Sequence, residues 1–204
     1  MFYNTQQNNH GLKQNPFKSL IIPRPIGWIS SQDIEGHINL APYSYFNILC
    51  DRPPMVMFSV TNTLSNGAMK DTLHNVESQH EFVVNMATYE QREAVNLSSA
   101  SLPHHENEFL LAQLEMLPSQ LVKPPRVKGS PIQLECVYHQ SIQLPTCSQN
   151  DTNRVIIGKV VGIHIDDQII VDGKVDITKI KPIARLGYME YTIVERIFTM
   201  QRPP

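Results

Sequence analysis

The 204-residue chain has three cysteines, Cys50, Cys136 and Cys147, and no C-x-x-C pair. An odd, dispersed set of this kind excludes a disulfide framework or a zinc knuckle as the organising device. No apolar run approaches the ~20 residues of a membrane span. The opening stretch, MFYNTQQNNHGLKQNP, lacks the apolar core of a secretory leader. A cytoplasmic protein with no membrane partner is therefore expected. Charged residues make up 18% of the chain and the net charge is -2, which leaves no basic field for nucleic acid or anionic lipid. G-x-G-x-x-G, a Walker loop, G-x-S-x-G and H-E-x-x-H are all missing, so any ligand is held without those devices. Glycine is scarce, nine against fifteen prolines, a balance that points to stiff, shaped loops. No internal repeat or low-complexity segment is present.

What remains is a chain with 41% hydrophobic residues, enough for one sizeable core. Residues 1–19 read as a polar arm and 20–204 as a single domain. SLIIPRPIGWISS reads as a strand broken at Pro23 and Pro25, and GHINLAPYSYFN follows the turn SQDIEG. MVMFSVT (55–61) and EFVVNM (81–86) are short continuous apolar runs, as buried strands are. Between them lie a turn signal at Asn66-Gly67 and helical content after Lys70. Thr88 and Gln91 form a capping box, predicting a helix over YEQREAVNLSS. Phe109, Leu110 and Leu114 have helical spacing, and residues 118–131 form a proline-rich loop. Two long strands follow, IQLECVYHQSIQL and RVIIGKVVGIHI. QIIV is a short strand between turns at Asp166-Asp167 and Asp172-Gly173. Strands dominate without regular helix alternation, so a β-barrel with a few packed helices fits better than a doubly wound sheet.

Two segments carry candidate chemistry. In MKDTLHNV, Lys70 supplies a cation, and Thr72 supplies a hydroxyl and an N–H at a helix start, a place that favours an anion such as phosphate. The simpler reading makes Asp71 a helix cap and Lys70 a solvated side chain. In NLAPYSYFN (39–47), Pro42 stiffens the chain, Tyr43, Tyr45 and Phe46 offer flat apolar surface, and Ser44 and Asn47 offer hydrogen bonds. A planar heteroaromatic ring needs that combination; a barrel strand with tyrosines at its rim is the alternative. The adjacent histidines of HHE (104–106) rarely converge on a metal, so no metal site is expected. His164 reads as a structural histidine and Cys50 as a buried, inert thiol.

In order and spacing, PRPIGWISS (23–31), NLAPYSYFN (39–47), MFSV (57–60), KDTLHN (70–75), EFVVN (81–85), PPRVKGSPIQLEC (124–136), IIGKVVGIHI (156–165) and ARLG (184–187) resemble the flavin reductase-like family, the FMN-binding split-barrel proteins that include flavoredoxin. The likeness covers roughly residues 20–191. It implies a mainly β, Greek-key split barrel, a homodimer, and FMN held near the dimer interface. Carried over, Ser30 and Ser31 would lie near the ribityl and phosphate end. Ala41, Pro42, Tyr43, Ser44, Tyr45, Phe46 and Asn47 would line the ring, and Ser59 and Thr61 would close the pocket. Lys70, Asp71 and Thr72 would grip the phosphate, with Arg185 a further binding residue. No side chain is assigned as a catalytic acid or base, since the flavin carries the chemistry. The implied activity moves electrons from NADH, NADPH or a protein donor through FMN to free flavin or another small acceptor. The alternatives are a flavoredoxin-like carrier that uses no nicotinamide and a non-catalytic flavin- or haem-binding module. In two places this chain departs from the family: Tyr188 stands where relatives commonly have a second glycine after RLG, and Gln113 where they often have the glycine of a Gly-Leu pair.

Overall fold

The apolar runs at 55–61, 81–86, 132–144 and 154–165 are all strands in the computed structural model, which describes residues 1–61, 69–104, 106–147 and 151–203. With three others they build one antiparallel sheet. In chain order its strands are β1 (Gly27–Gln32), β2 (Ile38–Tyr43), β3 (Phe46–Asp51), β4 (Pro54–Thr61), β5 (Glu81–Met86), β6 (Ile132–Gln143) and β7 (Asn153–Ile165). Their spatial order is β2-β1-β5-β6-β7-β4-β3. The chain makes the β1–β2 hairpin, crosses to the far edge for β3–β4, and returns beside β1 with β5, a Greek-key path. β2 also contacts β4, so the sheet curls back on itself. The expected mainly β chain with a few packed helices is the one observed.

Two cores explain why β1 is buried along both faces. Ile29 faces the curl with Tyr43, Phe58, Phe82, Val84 and Ile156, and helix α1 (Asp71–Gln79) covers it with Leu73 and Val76. Trp28 faces the other way with Leu40, Ala87, Val95, Phe109 and Ile183. Burying both faces forbids the apolar–polar alternation of a half-exposed strand, so its two serines are interior. α1 begins without a side-chain cap and ends where His80 turns left-handed at φ 61°. A small sheet of Arg24–Pro25, Ile183–Arg185 and Tyr191–Ile193 sets Arg24 directly opposite Arg185.

Several local expectations are corrected. The helix expected from Thr88 is α2, Arg92–Leu97. The cap position is Gln91, with no side-chain cap hydrogen bond, and Thr88 lies three residues ahead of it in a β-bridge to Pro182, so the expected capping box does not form. α3 spans only Glu108–Leu111 and stops ahead of Gln113, at φ 53°. In the 118–131 loop, Arg126–Val127 pairs with Met116–Leu117. In QIIV, only Ile170–Val171 is extended, pairing with Lys174–Val175 across Asp172 and Gly173. Both turn residues have positive φ, 48° and 73°, as a two-residue hairpin turn requires. Cys50 is exposed, not buried, because β3 is an edge strand whose residues 47–51 face solvent. His164 is structural, its Nε2 bonded to the buried Glu135. The Asn66-Gly67 turn signal and His105 lie outside the described residues. Among the described residues, no helix is long and apolar enough to cross a membrane.

Candidate functional site

NLAPYSYFN is not one strand. β2 ends at Tyr43 and β3 begins at Phe46, with Ser44 and Tyr45 forming the bend. The bend brings residues 41–45 to the mouth of the curled sheet, where α1 begins and β4 ends. Two cavities meet there. The larger is about 560 Å³, within the usual range for a small-molecule site. It is lined by Pro42, Tyr43, Ser44, Tyr45, Ser59, Thr61, Lys70 and Arg185, eight of the residues expected from the sequence. The smaller is about 140 Å³ and takes Ala41, Pro42, Tyr43, Lys70, Asp71 and Thr72. Pro42, Tyr43, Lys70 and Ser99 belong to both walls.

The other expected residues stand elsewhere. Ser30 and Ser31 are fully buried in β1 and line neither cavity. The Ser30 hydroxyl donates to Pro125 O, and Ser31 accepts from Asn75 of α1. Phe46 packs against the core, so close to Gly27 that a Cβ there would lie 2.7 Å from its ring. Asn47 is exposed on the edge strand, accepting from its neighbour's N–H at Ile48.

Lys70 is half-buried and donates to Thr61 O at 2.9 Å. Burial first, and then the positive charge of Lys18, lower its pKa. The first helical bonds of α1 run from Leu73 and His74 to Lys70 O. The N–H groups of Asp71 and Thr72 precede them and donate to no backbone carbonyl among the described residues, as expected at a helix start. Asp71 is not the cap: it lies in the first turn, its carboxylate 2.8 Å from His104 Nδ1. Thr72 is buried, and its hydroxyl accepts from Asn39 at 2.7 Å. Burial pushes the Tyr43 phenol up to about 12, against the pull of a hydrogen bond with Thr72 and with Glu108 and Asp71 adding to the rise. It therefore stays a neutral donor at ordinary pH. Glu108 accepts from Leu40 N at 2.9 Å, and burial raises its pKa.

On the far side, Arg24 donates to the carbonyls of Lys18, Ile21 and Leu186 and reaches Ser44 Oγ at 3.5 Å. Arg185 donates to Tyr188 O and the Tyr191 hydroxyl and lies 4.4 Å from the centre of the Tyr191 ring. Sequence reasoning missed Lys18, Arg24, Asn96, Ser99 and Tyr191 in this wall. Arg24 stood inside a quoted motif. The others come from the arm, a helix and a late strand, with no local pattern to join them. The remaining acid–imidazole group, Asp33, Glu35 and His37, brings its ligand atoms within 4.8 Å. Its Asp33 already accepts from the N–H groups of Glu35 and His37 and meets the His37 ring, closing the β1–β2 turn.

Residues 19–177 match the model of the flavin reductase like domain. An uncharacterized protein of Aquifex aeolicus is 38% identical over 173 residues, covering 84% of this chain and 85% of that one. The fold superposes on nitrilotriacetate monooxygenase component B from Bacillus cereus with a TM-score of 0.87, at 33% identity and 98% coverage of both chains. It also matches a Shewanella frigidimarina protein described as a flavin reductase with a split barrel domain, at a TM-score of 0.83, 20% identity and full coverage of both. At that identity the likeness fixes the fold alone, and the fold is the split barrel expected from the sequence.

Proposed function

The chain belongs to the flavin reductase-like family, and from that premise we propose that it is an FMN-binding oxidoreductase passing electrons from NADH or NADPH to free flavin or another small acceptor. The observation that carries the reading is the two-part recess, in which a larger cavity walled by tyrosines joins a smaller one at a helix start. The residues present fit FMN. Pro42, Tyr43 and Tyr45 offer flat surface for a planar ring, and Ser44, Ser59 and Thr61 offer hydrogen-bonding groups to its edge and side chain. Lys70 and the N–H groups of Asp71 and Thr72 would hold the phosphate, with the start of α1 adding its dipole. When bound, the flavin supplies hydride acceptance and onward electron transfer. The protein's part is to bind it, shield it and leave room for a second reactant. Tyr43, buried and neutral, serves as a hydrogen-bond donor and not as a base.

The reading extends to a homodimer. It is supported by Val161, Ile163 and Ile165, alternate residues of β7 exposed on one face, and by Ile48 and Leu49 exposed on the edge strand β3. Unpaired strand edges and apolar stripes of this kind are normally covered. A purely monomeric mass in light scattering, with FMN still bound, would remove the dimer from the reading.

Tyr188 favours a second reading, an electron carrier that uses no nicotinamide. It lines the larger cavity where relatives commonly carry glycine, and so narrows the space left for a second reactant. Competition between FMN and FAD tests the cofactor, with FMN expected to bind more tightly. Rapid mixing of FMN-loaded protein with NADH and with NADPH tests the donor. Fast loss of the oxidised flavin absorbance supports the reductase. Slow loss, combined with fast reduction by a protein donor, assigns the carrier instead.

A further inference from the structure

The larger cavity has four cations in its wall, Lys18, Arg24, Lys70 and Arg185, and no carboxylate among its described lining residues. Arg24 and Arg185 are register partners on adjacent strands, an arrangement of like charges that costs stability unless an anion offsets it. Both guanidinium groups are satisfied as donors by carbonyls and hydroxyls, but neutral acceptors leave their charge uncompensated. Lys70 spends one donor on Thr61 O. Lys18 differs from the other three. Among the described residues its ammonium donates no hydrogen bond and joins no ion pair. Its charge is nonetheless close enough to be the second cause, after burial, of the lowered Lys70 pKa.

Lys18 comes from the N-terminal arm, and the arm is docked. Pro16 is buried, Phe17–Ser19 forms a 3-10 turn, and the Lys18 carbonyl accepts from Arg24 Nη1 at 2.5 Å. Ser19 lies so close to Gly187 that a Cβ there would meet the Ser19 Cα at 2.9 Å, so only glycine lets the arm lie down at this point. Main-chain contacts thus hold Lys18 beside the cavity, with the bonding capacity of its ammonium unspent.

Resting on the flavin reading above, we propose that Lys18 is a ligand-binding residue, facing the phosphate of a phosphorylated flavin together with Lys70 and setting the preference for FMN over riboflavin. An ammonium–phosphate hydrogen bond is charge-assisted and roughly twice as strong as a neutral one. A neutral ribityl end gains nothing comparable. The contribution of Lys18 is therefore legible in the ratio of the two affinities, a quantity that a merely structural role of the arm does not move.

The test is equilibrium titration of FMN and of riboflavin into the full chain, unaltered and carrying Lys18→Met or Lys18→Arg. Lys18 is exposed, so the fold tolerates both changes. Lys18→Met is expected to weaken FMN by about tenfold and to leave riboflavin within about twofold, while Lys18→Arg keeps most of the FMN affinity. FMN binding by Lys18→Met equal to that of the unaltered protein would overturn this inference alone, as would equal losses for both flavins. Failure of the unaltered protein to bind either flavin would overturn the flavin reading, and this inference with it.

Discussion

The two cavities share a wall but not an electrostatic character. The smaller is about 140 Å³ and sits at a helix start, yet Asp71 and Glu108 stand in it against Lys70, the one cation among its described lining residues. The larger has four cations and no carboxylate among its described lining residues. Shape assigns an anion to the first and charge assigns it to the second. The two criteria agree at only one place, the junction at Lys70, which belongs to both. A helix N-terminus is therefore not an anion site on geometry alone. Its first-turn carboxylate must be engaged elsewhere, as Asp71 is by His104, and a nearby cation must offset what remains.

The sharpest way to break this picture is to remove the junction. Lys70→Ala should weaken FMN by about 1–3 kcal/mol, roughly 5- to 150-fold, by calorimetric titration. Thr72→Ala should fall at the low end of that range, because its hydroxyl is already engaged by Asn39 and its N–H survives the change. Unchanged affinity in both variants would return Lys70 to a solvated side chain and α1 to an ordinary helix start. A smaller effect is expected at Tyr188, in the larger cavity. Its φ is 52°, a left-handed conformation that a side chain resists by roughly 1–2 kcal/mol. Glycine relieves that strain but loses more chain entropy on folding. Tyr188→Gly should thus stabilise the fold by up to about 1 kcal/mol in denaturant unfolding. In rapid mixing it should also speed flavin reduction by a nicotinamide; an unchanged rate would mean that Tyr188 does not restrict the second reactant.

The smallest expected effect concerns Glu108, in the other cavity. Burial raises its pKa in the folded protein, so the native state holds the proton more tightly than the unfolded chain does. Its contribution is then fully present below the ordinary carboxylate value of about 4.3 and is lost as pH rises through the elevated one. Glu108→Gln keeps an acceptor for Leu40 N and should flatten that part of the stability profile. The difference between the two profiles isolates Glu108 from Asp33, Glu135 and Asp176, whose lowered values give slopes of the opposite sign. Identical profiles would mean that Glu108 is solvated in the native state.

The strands at 54–61, 81–86, 132–143 and 153–165 and the helix from Asp71 were legible because each carries its own local pattern. What failed depended on distant partners. The capping box at Thr88 was sound locally and lost to a bridge with Pro182, almost a hundred residues away. The family resemblance sets Ser30 and Ser31 near a flavin, whereas in this strand, buried on both faces, they are bonded inward to Pro125 and Asn75. Cys50 looked like a buried, inert thiol because Arg52 is its only nearby cation in sequence, and only the sheet order reveals an edge. The cavity wall was half legible: KDT and APYSY announced themselves, whereas Lys18 and Tyr191 reach the site through the docking of the arm and a late strand. The two departures from the family pattern carry a structural signature. Gln113 and Tyr188, where the resemblance expects glycine, both have a positive φ, 53° and 52°, that glycine adopts without strain.

The bend at Ser44 and Tyr45 also sets a rule of parity. Side chains alternate across a strand, so the length of the bend decides which β3 residues face inward. With two residues in it, Phe46 presses on Gly27 inside and Asn47 looks out. An insertion that moved β3 along by one place would turn Phe46 toward solvent and away from Gly27, while leaving the composition of the segment almost unchanged. The count of residues in the segment is therefore a constraint separate from their identity, because it decides whether the Phe46 ring fills the space beside Gly27.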